Sequence, residues 1–355
     1  MAELVIHPNL YTIRRSLQSS VPPLLRADQA EERYNEAVQA AVEKCAADTA
    51  GQTCFICMEA VHSRTGEGLV RGCACRGGAG FAHVSCLAEQ AKILFAEAEE
   101  NNLGVEVLNA RLGRWSDCSL CEQEYHGVVR CALGWACWKT YVGRPERDQV
   151  RGLAMTVLGN GLTGANRYED ALSVREAELS MLRRLGASER SVLAVQGNLA
   201  VLYEELGRVE GALRMKQDVY AGHLKLNGED NVSTLMAANN YAATLKDLRR
   251  FEEAKALLRR TIPVARCVVG EGDGLTLRMR YTYARALYED PRSDPRATLE
   301  YLREAVTTLE EIERTARRVF GGSHPLTVEI ERFLHKIPST VRRAADLESQ
   351  VKRSV

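Results

Sequence analysis

Eight residues between positions 54 and 121 have both the chemistry and the close pairing to hold metal. They fall into four close pairs: Cys54 and Cys57, Cys73 and Cys75, His83 and Cys86, Cys118 and Cys121. Thiolate and imidazole are preferred zinc donors, four to an ion in a tetrahedron, and a short step between donors delivers two from one turn. Eight donors therefore suit two Zn2+ per chain. Every position is filled by a protein donor, which leaves none open for water, so the expected role of the metals is structural. The intervening segment, with Gly66, Gly68, Gly72, Gly77, Gly78 and Gly80, has too few apolar side chains to close a core. Coordination worth about 10 kcal/mol or more per structural site would supply the missing folding free energy. A redox role for Cys-x2-Cys needs a thioredoxin-like βαβ frame, and the flanking sequence has none.

The ligand order, four cysteines, one histidine and three cysteines, is shared by RING-CH (RING-variant) domains and PHD fingers. Cys73-Ala-Cys75-Arg-Gly, then Phe81-Ala-His83-Val-Ser-Cys86-Leu87, and the closing Cys118-Ser-Leu-Cys121 with Tyr125 behind it resemble the RING-CH pattern. PHD fingers usually carry a tryptophan two residues before the seventh ligand, whereas Trp115 lies three before Cys118. The resemblance to the RING-CH ubiquitin ligases implies a cross-brace. In it Cys54, Cys57, His83 and Cys86 hold one zinc, and Cys73, Cys75, Cys118 and Cys121 the other. It also implies docking of a ubiquitin-charged E2 conjugating enzyme, with Ile56, Leu87 and Leu120 at E2-contact positions and no catalytic residue on this chain. The sequence departs from the family in having Gln90 where a tryptophan is frequent, Glu122 where many active RING domains have a cation, and a 31-residue step from Cys86 to Cys118. In that step, Ala88 to Glu100 reads as a helix stopped by Asn101, Asn102 and Gly104.

The elements that must carry this module are read from composition and periodicity. The 355 residues include 47 Lys+Arg and 47 Asp+Glu, a net charge of zero, which argues against binding to nucleic acid or an anionic membrane. Charged residues at 26% and apolar ones at 45%, with a mean hydropathy of -0.24, describe an ordinary globular chain rather than a disordered one. Aromatics at 6% favour helices over sheets. The most apolar stretch, Val128 to Trp138, is too short to span a bilayer and contains Arg130. No secretory signal is read at the N-terminus. A reducing compartment is expected, cytoplasmic with the nucleus left open, in which the 11 cysteines are thiols or ligands.

The second half repeats. Arg167-Tyr-Glu-Asp-Ala171, Arg208-Val-Glu-Gly-Ala212 and Arg250-Phe-Glu-Glu-Ala254 recur at steps of 41 and 42 residues. Gly186, Gly228 and Gly270 are 42 apart, and Gly321 follows after 51, with the surplus placed near Glu289–Ala297. Gly159, Ala200 and Ala242 each lie twelve residues before a key alanine, and small residues at both places let paired helices pack closely. This is the logic of tetratricopeptide repeats, and the 42-residue step with its Gly228-Glu-Asp and Gly321–Pro325 turns resembles the kinesin-light-chain type. Four repeats are read, at Gln149–Ser188, Glu189–Asp230, Asn231–Gly272 and Asp273–Pro325, with helices over Thr327–Lys336 and after Pro338 capping the open end. Registering on the small residues points Asn198, Asn239, Asn240, Lys246, Arg278, Tyr281, Arg285 and Tyr288 into a groove. There asparagines would hold a peptide backbone and the cations would favour acidic partners.

The expected fold is mainly α, a tetratricopeptide-repeat α-solenoid preceded by a small two-zinc cross-brace domain. Its expected divisions are an N-terminal segment at 1–50 with a helix over Ala27–Ala47, the zinc domain at 51–125 and a linking helix at 126–148 bearing Val128, Ala132, Trp135 and Trp138. The repeats follow at 149–325 and the cap at 326–355. Cys131 and Cys137 read as buried apolar side chains rather than nucleophiles. Two functions stand beside each other. One is an E3 ligase whose repeats recruit a protein substrate; the other is a non-catalytic adaptor binding peptides through its repeats, with a histone reader behind both.

Overall fold

The computed structural model describes residues 25–75, 77–290, 295–322 and 324–337. The segment before Leu25, Arg76 of the Cys-x-Cys-Arg-Gly motif, most of the surplus near Glu289–Ala297 and the helix read after Pro338 lie outside the described residues or their described side chains. The described residues contain helices and isolated bridges but no strand of a sheet. The chain divides into two compact units, Met1–Ser188 and Glu189–Val355.

The first unit runs α1 (Ala27–Thr49), the paired-ligand segment with α2 (Val84–Glu100) and α3 (Val105–Leu112), then α4 (Gly127–Tyr141), α5 (Gln149–Gly164) and α6 (Tyr168–Arg184). At its centre is α4, packed against α1, α2 and α5. Sequence periodicity assigns it one apolar stripe, but Cys131 to Trp138 are all buried, so it is enclosed on every side, as a helix apolar all round must be. The paired-ligand segment is attached through aromatic side chains. Phe95 and Trp115 both meet the Tyr141 ring edge-on, at 5.8 and 5.9 Å. Next to them Arg144 bridges Glu99 (2.8 Å) and Asp148 (3.4 Å), and Asp148 caps α5 by accepting from the Val150 N–H. Against α5 the approach is backbone to backbone: a Cβ on Gly161 would stand 2.7 Å from the Arg130 carbonyl oxygen and 3.1 Å from Cys131 Cα.

The second unit is a run of helix pairs: α7 (Glu189–Glu205) with α8 (Val209–Asn227), α9 (Val232–Asp247) with α10 (Phe251–Val268), and α11 (Gly274–Tyr288) with α12 (Pro295–Phe320). Across α11 and α12 lies α13 (Pro325–Lys336). The repeated motifs now have local causes. In α5–α6, α7–α8 and α9–α10 the first helix ends on a left-handed residue, Asn166, Gly207 or Arg249. The motif arginine follows, and its N–H returns to a carbonyl five residues back, Arg167 to Leu162, Arg208 to Tyr203 and Arg250 to Leu245. This is the Schellman geometry that satisfies carbonyls at a helix end. The same arginine is the N-cap of the next helix. The repeat glycines have one job, since Gly186, Gly228, Gly270 and Gly321 all take positive φ where the second helix stops. The small residues Gly159, Ala171, Ala200, Ala212, Ala242 and Ala254 are buried at the crossings they were assigned.

The α4–α5 contact makes a direct prediction. All three tryptophans, Trp115, Trp135 and Trp138, belong to the first unit, so tryptophan fluorescence reports that unit alone. Gly161→Val places methyl groups against immovable backbone and is expected to cost about 1–3 kcal/mol. In thermal or urea denaturation the fluorescence midpoint falls while the helical signal of the second unit keeps its own transition. An unchanged fluorescence midpoint contradicts the close approach.

Candidate metal centre and repeat face

The eight donors converge in two groups of four. The ligand atoms of Cys54, Cys57, His83 and Cys86 all lie within 4.8 Å of one another, and so do those of Cys73, Cys75, Cys118 and Cys121. Each group draws its pairs from two segments separated by other ligands, so the two are interleaved in sequence. Bond lengths of about 2.3 Å to sulfur and 2.0–2.1 Å to imidazole nitrogen require tetrahedral edges of about 3.8 Å between sulfurs and about 3.6 Å between sulfur and nitrogen. Cys75 Sγ and Cys118 Sγ are 3.8 Å apart, and His83 Nδ1 lies 3.4 Å from Cys57 Sγ and 3.6 Å from Cys86 Sγ. The thiols are unpaired, and this spacing is far beyond a disulfide bond. His83 turns Nδ1 toward the sulfurs while Nε2 is buried without a hydrogen-bond partner. The donors fit a metal such as zinc, three sulfurs and a nitrogen in one group and four sulfurs in the other.

Both Cys-x2-Cys pairs sit on the same backbone turn. Cys54 N–H donates to Glu59 O and Met58 N–H to Cys54 O, while Cys118 N–H donates to Gln123 O and Glu122 N–H to Cys118 O. Ile56 N–H points at Cys54 Sγ and Leu120 N–H at Cys118 Sγ, both at 3.4 Å, which directs donors at sulfurs that carry charge as thiolates. Each turn closes on a left-handed residue, Met58 or Glu122. Gly80 is also left-handed, and a Cβ there would stand 2.6 Å from Cys75 Cβ and 3.1 Å from Cys73 Sγ.

Burial and backbone hydrogen bonds shift the donors in opposite directions. Burial pushes the His83 imidazole below its ordinary range, which keeps the ring neutral with a lone pair free. It also pushes the Cys73 thiol up to about 11 and raises Cys86 well above the ordinary thiol range, with nearby Cys54 adding to the shift. Cys121 goes the other way, to about 7, first because the Gln123 backbone N–H donates to it. Metal uptake at neutral pH therefore releases protons, and the stability it contributes is lost as pH falls.

The structure separates the residues assigned to partner contact. Ile56 is half-buried, Leu120 is 51% exposed, and Met58 beside Ile56 is 71% exposed, whereas Leu87 is 4% exposed on the inner face of α2. Leu87 is thus buried in packing where the resemblance implies a contact position. The helix after the third pair begins at Val84 instead of Ala88, because His83 is its N-cap and Cys86 lies in its first turn. The 31-residue step also contains a second helix, α3, beyond the one expected over Ala88–Glu100. A groove of about 710 Å³ between α1, the 65–68 turn, α2 and α4 is lined by none of the eight donors. Cys131 and Cys137 are buried in α4.

In the repeats, Asn198, Asn240 and Arg278 are exposed, and Asn198 and Asn240 occupy equivalent places 42 residues apart. Asn239 turns inward and accepts from the Thr282 hydroxyl, since adjacent helical residues point about 100° apart. Lys246 is buried and paired with Asp247 and Glu289. Arg285 pairs with Glu289 (2.6 Å) and lies over the Phe333 ring of α13. Phe333 also meets Tyr281 and Tyr288 edge-on, at 6.0 and 5.5 Å. The expected groove thus loses Asn239, Lys246 and Tyr281 to the interior, and both Lys246 and Arg285 spend their charge on intramolecular carboxylates. These two give no basis for selecting an acidic partner.

Comparison with known families agrees with this geometry. Residues 54–102 match the RING-variant domain and residues 191–266 match the tetratricopeptide repeat. The chain therefore carries a RING-variant domain joined to tetratricopeptide repeats, in a mainly helical fold with kinesin-light-chain-like structural neighbours. The RING-variant match stops short of Cys118 and Cys121, which the fold brings to Cys73 and Cys75. Among solved structures, the nearly identical TPR-like repeats of a kinesin-light-chain candidate from Podosopora anserina align at 19% identity, over 66% of this chain and 97% of theirs, with a TM-score of 0.43. BtubC (BKLC) from P. vanneervenii aligns at 14% identity, over 76% and 92%, with a TM-score of 0.41. No curated protein matches the chain significantly.

Gly80→Ala tests the second group. The added methyl meets the ligand side chains themselves, in a backbone conformation costly for any L-residue. Elemental analysis of the folded variant is expected to give one metal equivalent fewer than wild type, lost from the four-sulfur group. Full metal content in the variant contradicts the placement of Gly80.

Proposed function

We propose that the chain is an E3 ubiquitin-protein ligase. Its RING-variant domain, folded around two Zn2+ at Cys54, Cys57, His83 and Cys86 and at Cys73, Cys75, Cys118 and Cys121, docks a ubiquitin-charged E2. Its repeats recruit the protein substrate. The observation that carries this reading is the pair of matching Cys-x2-Cys turns, which hold Ile56 and Leu120 at equivalent places with Met58 exposed beside them. An apolar patch on a rigid turn is what a small docking surface needs. Bound zinc would fix the two turns through the cysteines at their ends. The substrate lysine attacks the E2-bound thioester, ubiquitin passes to the lysine nitrogen and the E2 thiol leaves. This chain supplies no nucleophile to that exchange, and its contribution is to hold the charged E2 near the lysine. The compartment proposed is the cytoplasm; no helix among the described residues is long and apolar enough to cross a membrane.

One specific observation favours a non-catalytic adaptor as the second reading. Glu122 is exposed on the left-handed turn after the last ligand, where the resemblance places a cation in many active RING domains. An autoubiquitination assay across a panel of E2 enzymes separates the two. The ligase reading predicts chain formation with at least one E2, and its absence throughout supports the adaptor. Ile56→Ala is expected to remove activity, with on the order of 2 kcal/mol lost from an interface anchor, while metal content is unchanged. Undiminished activity contradicts the docking role.

For the repeats, the exposed asparagines are the proposed peptide-holding residues, with Arg278 as the exposed cation. Each neutral hydrogen bond removed costs about 0.5–1.5 kcal/mol. Asn198→Ala with Asn240→Ala is therefore expected to weaken substrate capture severalfold or more without altering helical content. Retention of the wild-type partner set by the double variant would move recognition off this face.

A further inference from the structure

His83 is the N-cap of α2, yet its side chain caps nothing, because its ring is turned toward the sulfurs of Cys57 and Cys86. The first turn of a helix has N–H groups that need acceptors, and the usual N-cap side chain is here committed elsewhere. The acceptor comes from Glu67, sixteen residues earlier. Glu67 is buried, and its carboxylate accepts from the Val84 N–H and, with both oxygens at 3.3 Å, from the Ser85 N–H.

The turn that presents Glu67 is itself bonded to the neighbourhood of the ligand. His62 N–H donates to the Glu67 carbonyl (2.9 Å) and the Glu67 N–H donates to the Thr65 hydroxyl (3.4 Å). The Thr65 N–H donates to His62 Nδ1 (3.3 Å). The buried His62 ring packs edge-on against the His83 ring at 5.2 Å. One short turn therefore braces the ligand ring from its side and secures the helix on which both His83 and Cys86 sit.

We propose that Glu67 is a positioning residue for the first metal group, acting through α2. Its carboxylate fixes the start of the helix so that His83 Nδ1 and Cys86 Sγ arrive at the spacing the metal needs. A carboxylate is suited to the task because it accepts two N–H groups at once and places negative charge at the positive end of the helix. The second group contains no residue of α2, so the effect falls first on one site and reaches the other only through the interleaved chain. This inference rests on Cys54, Cys57, His83 and Cys86 being a metal site.

The test is titration of the metal-free full-length chain with Co2+. Tetrahedral cobalt held by four thiolates absorbs at longer wavelength than cobalt held by three thiolates and an imidazole, so one spectrum resolves the two groups. Glu67→Ala is expected to weaken the three-thiolate equivalent by about 10–100-fold, as loss of support behind a ligand typically does, and to weaken the four-thiolate equivalent less. Glu67→Gln keeps an acceptor oxygen and should fall between. Unchanged affinity of the three-thiolate equivalent in Glu67→Ala, or equal weakening of both equivalents in Glu67→Gln, overturns the proposal. Glu67→Gln decides the matter if Glu67→Ala loads neither. Failure of the wild-type chain to show a three-thiolate equivalent at all would instead overturn the metal-site reading on which it rests.

Discussion

The convergence of four ligand pairs on two points is the constraint on which the first unit depends. Between Thr53 and His126 the described chain has no strand of a sheet, only the bridges Val70–Ala82 and Asp117–Glu124, with α2, α3 and a 3-10 turn at Gly113–Trp115 as its helices. Four donors drawn together from segments far apart in sequence replace the apolar burial that a glycine-rich stretch cannot provide, and coordination then counts as folding free energy. Because the groups are interleaved, each one fixes the ends of a segment that also contributes to the other.

That constraint reaches beyond the ligands through α2 and α4. Helix α2 starts at a ligand and ends at Glu100, presenting Phe95 and Glu99 to Tyr141 and Arg144. Helix α4 is enclosed by α1, α2 and α5, and its backbone touches that of α5 at Gly161. The helix that follows the ligand-bearing segment is therefore central to one compact unit. Each unit has its own core, and in the second it is assembled pair by pair, as expected of a repeat whose helices contact mainly their neighbours.

Much of this was legible in the sequence for definite reasons. Paired donors are visible because coordination demands residue type and spacing together. The 42-residue period is visible because the left-handed glycines, the motif arginines and the small crossing residues recur for steric reasons. What escaped depends on partners distant in sequence. Glu67 resembles any surface glutamate until the fold brings it to Val84 and Ser85. Gly159 reads as one small residue among several, yet a Cβ there would stand 2.7 Å from Arg175 Nε, whose guanidinium runs buried to Glu178 and Thr156. Asn239 and Asn240 read as a pair facing one groove until the turn of the helix sends one inward. Lys246 reads as a free cation because Glu289 is distant from it in sequence, whereas the Arg285–Glu289 pair, at i and i+4 of one helix, is local and could have been read. Leu87 matches a family pattern that does not distinguish a packing leucine from a docking one.

The central claim is that two metal ions hold the first unit together, and native mass spectrometry of the full-length chain, purified without chelator, addresses it directly. The account predicts a mass excess of two zinc ions per chain, lost on chelation together with the native fluorescence of Trp115, Trp135 and Trp138. A folded chain carrying one ion or none, or a tryptophan signal indifferent to the removal of both, would contradict it.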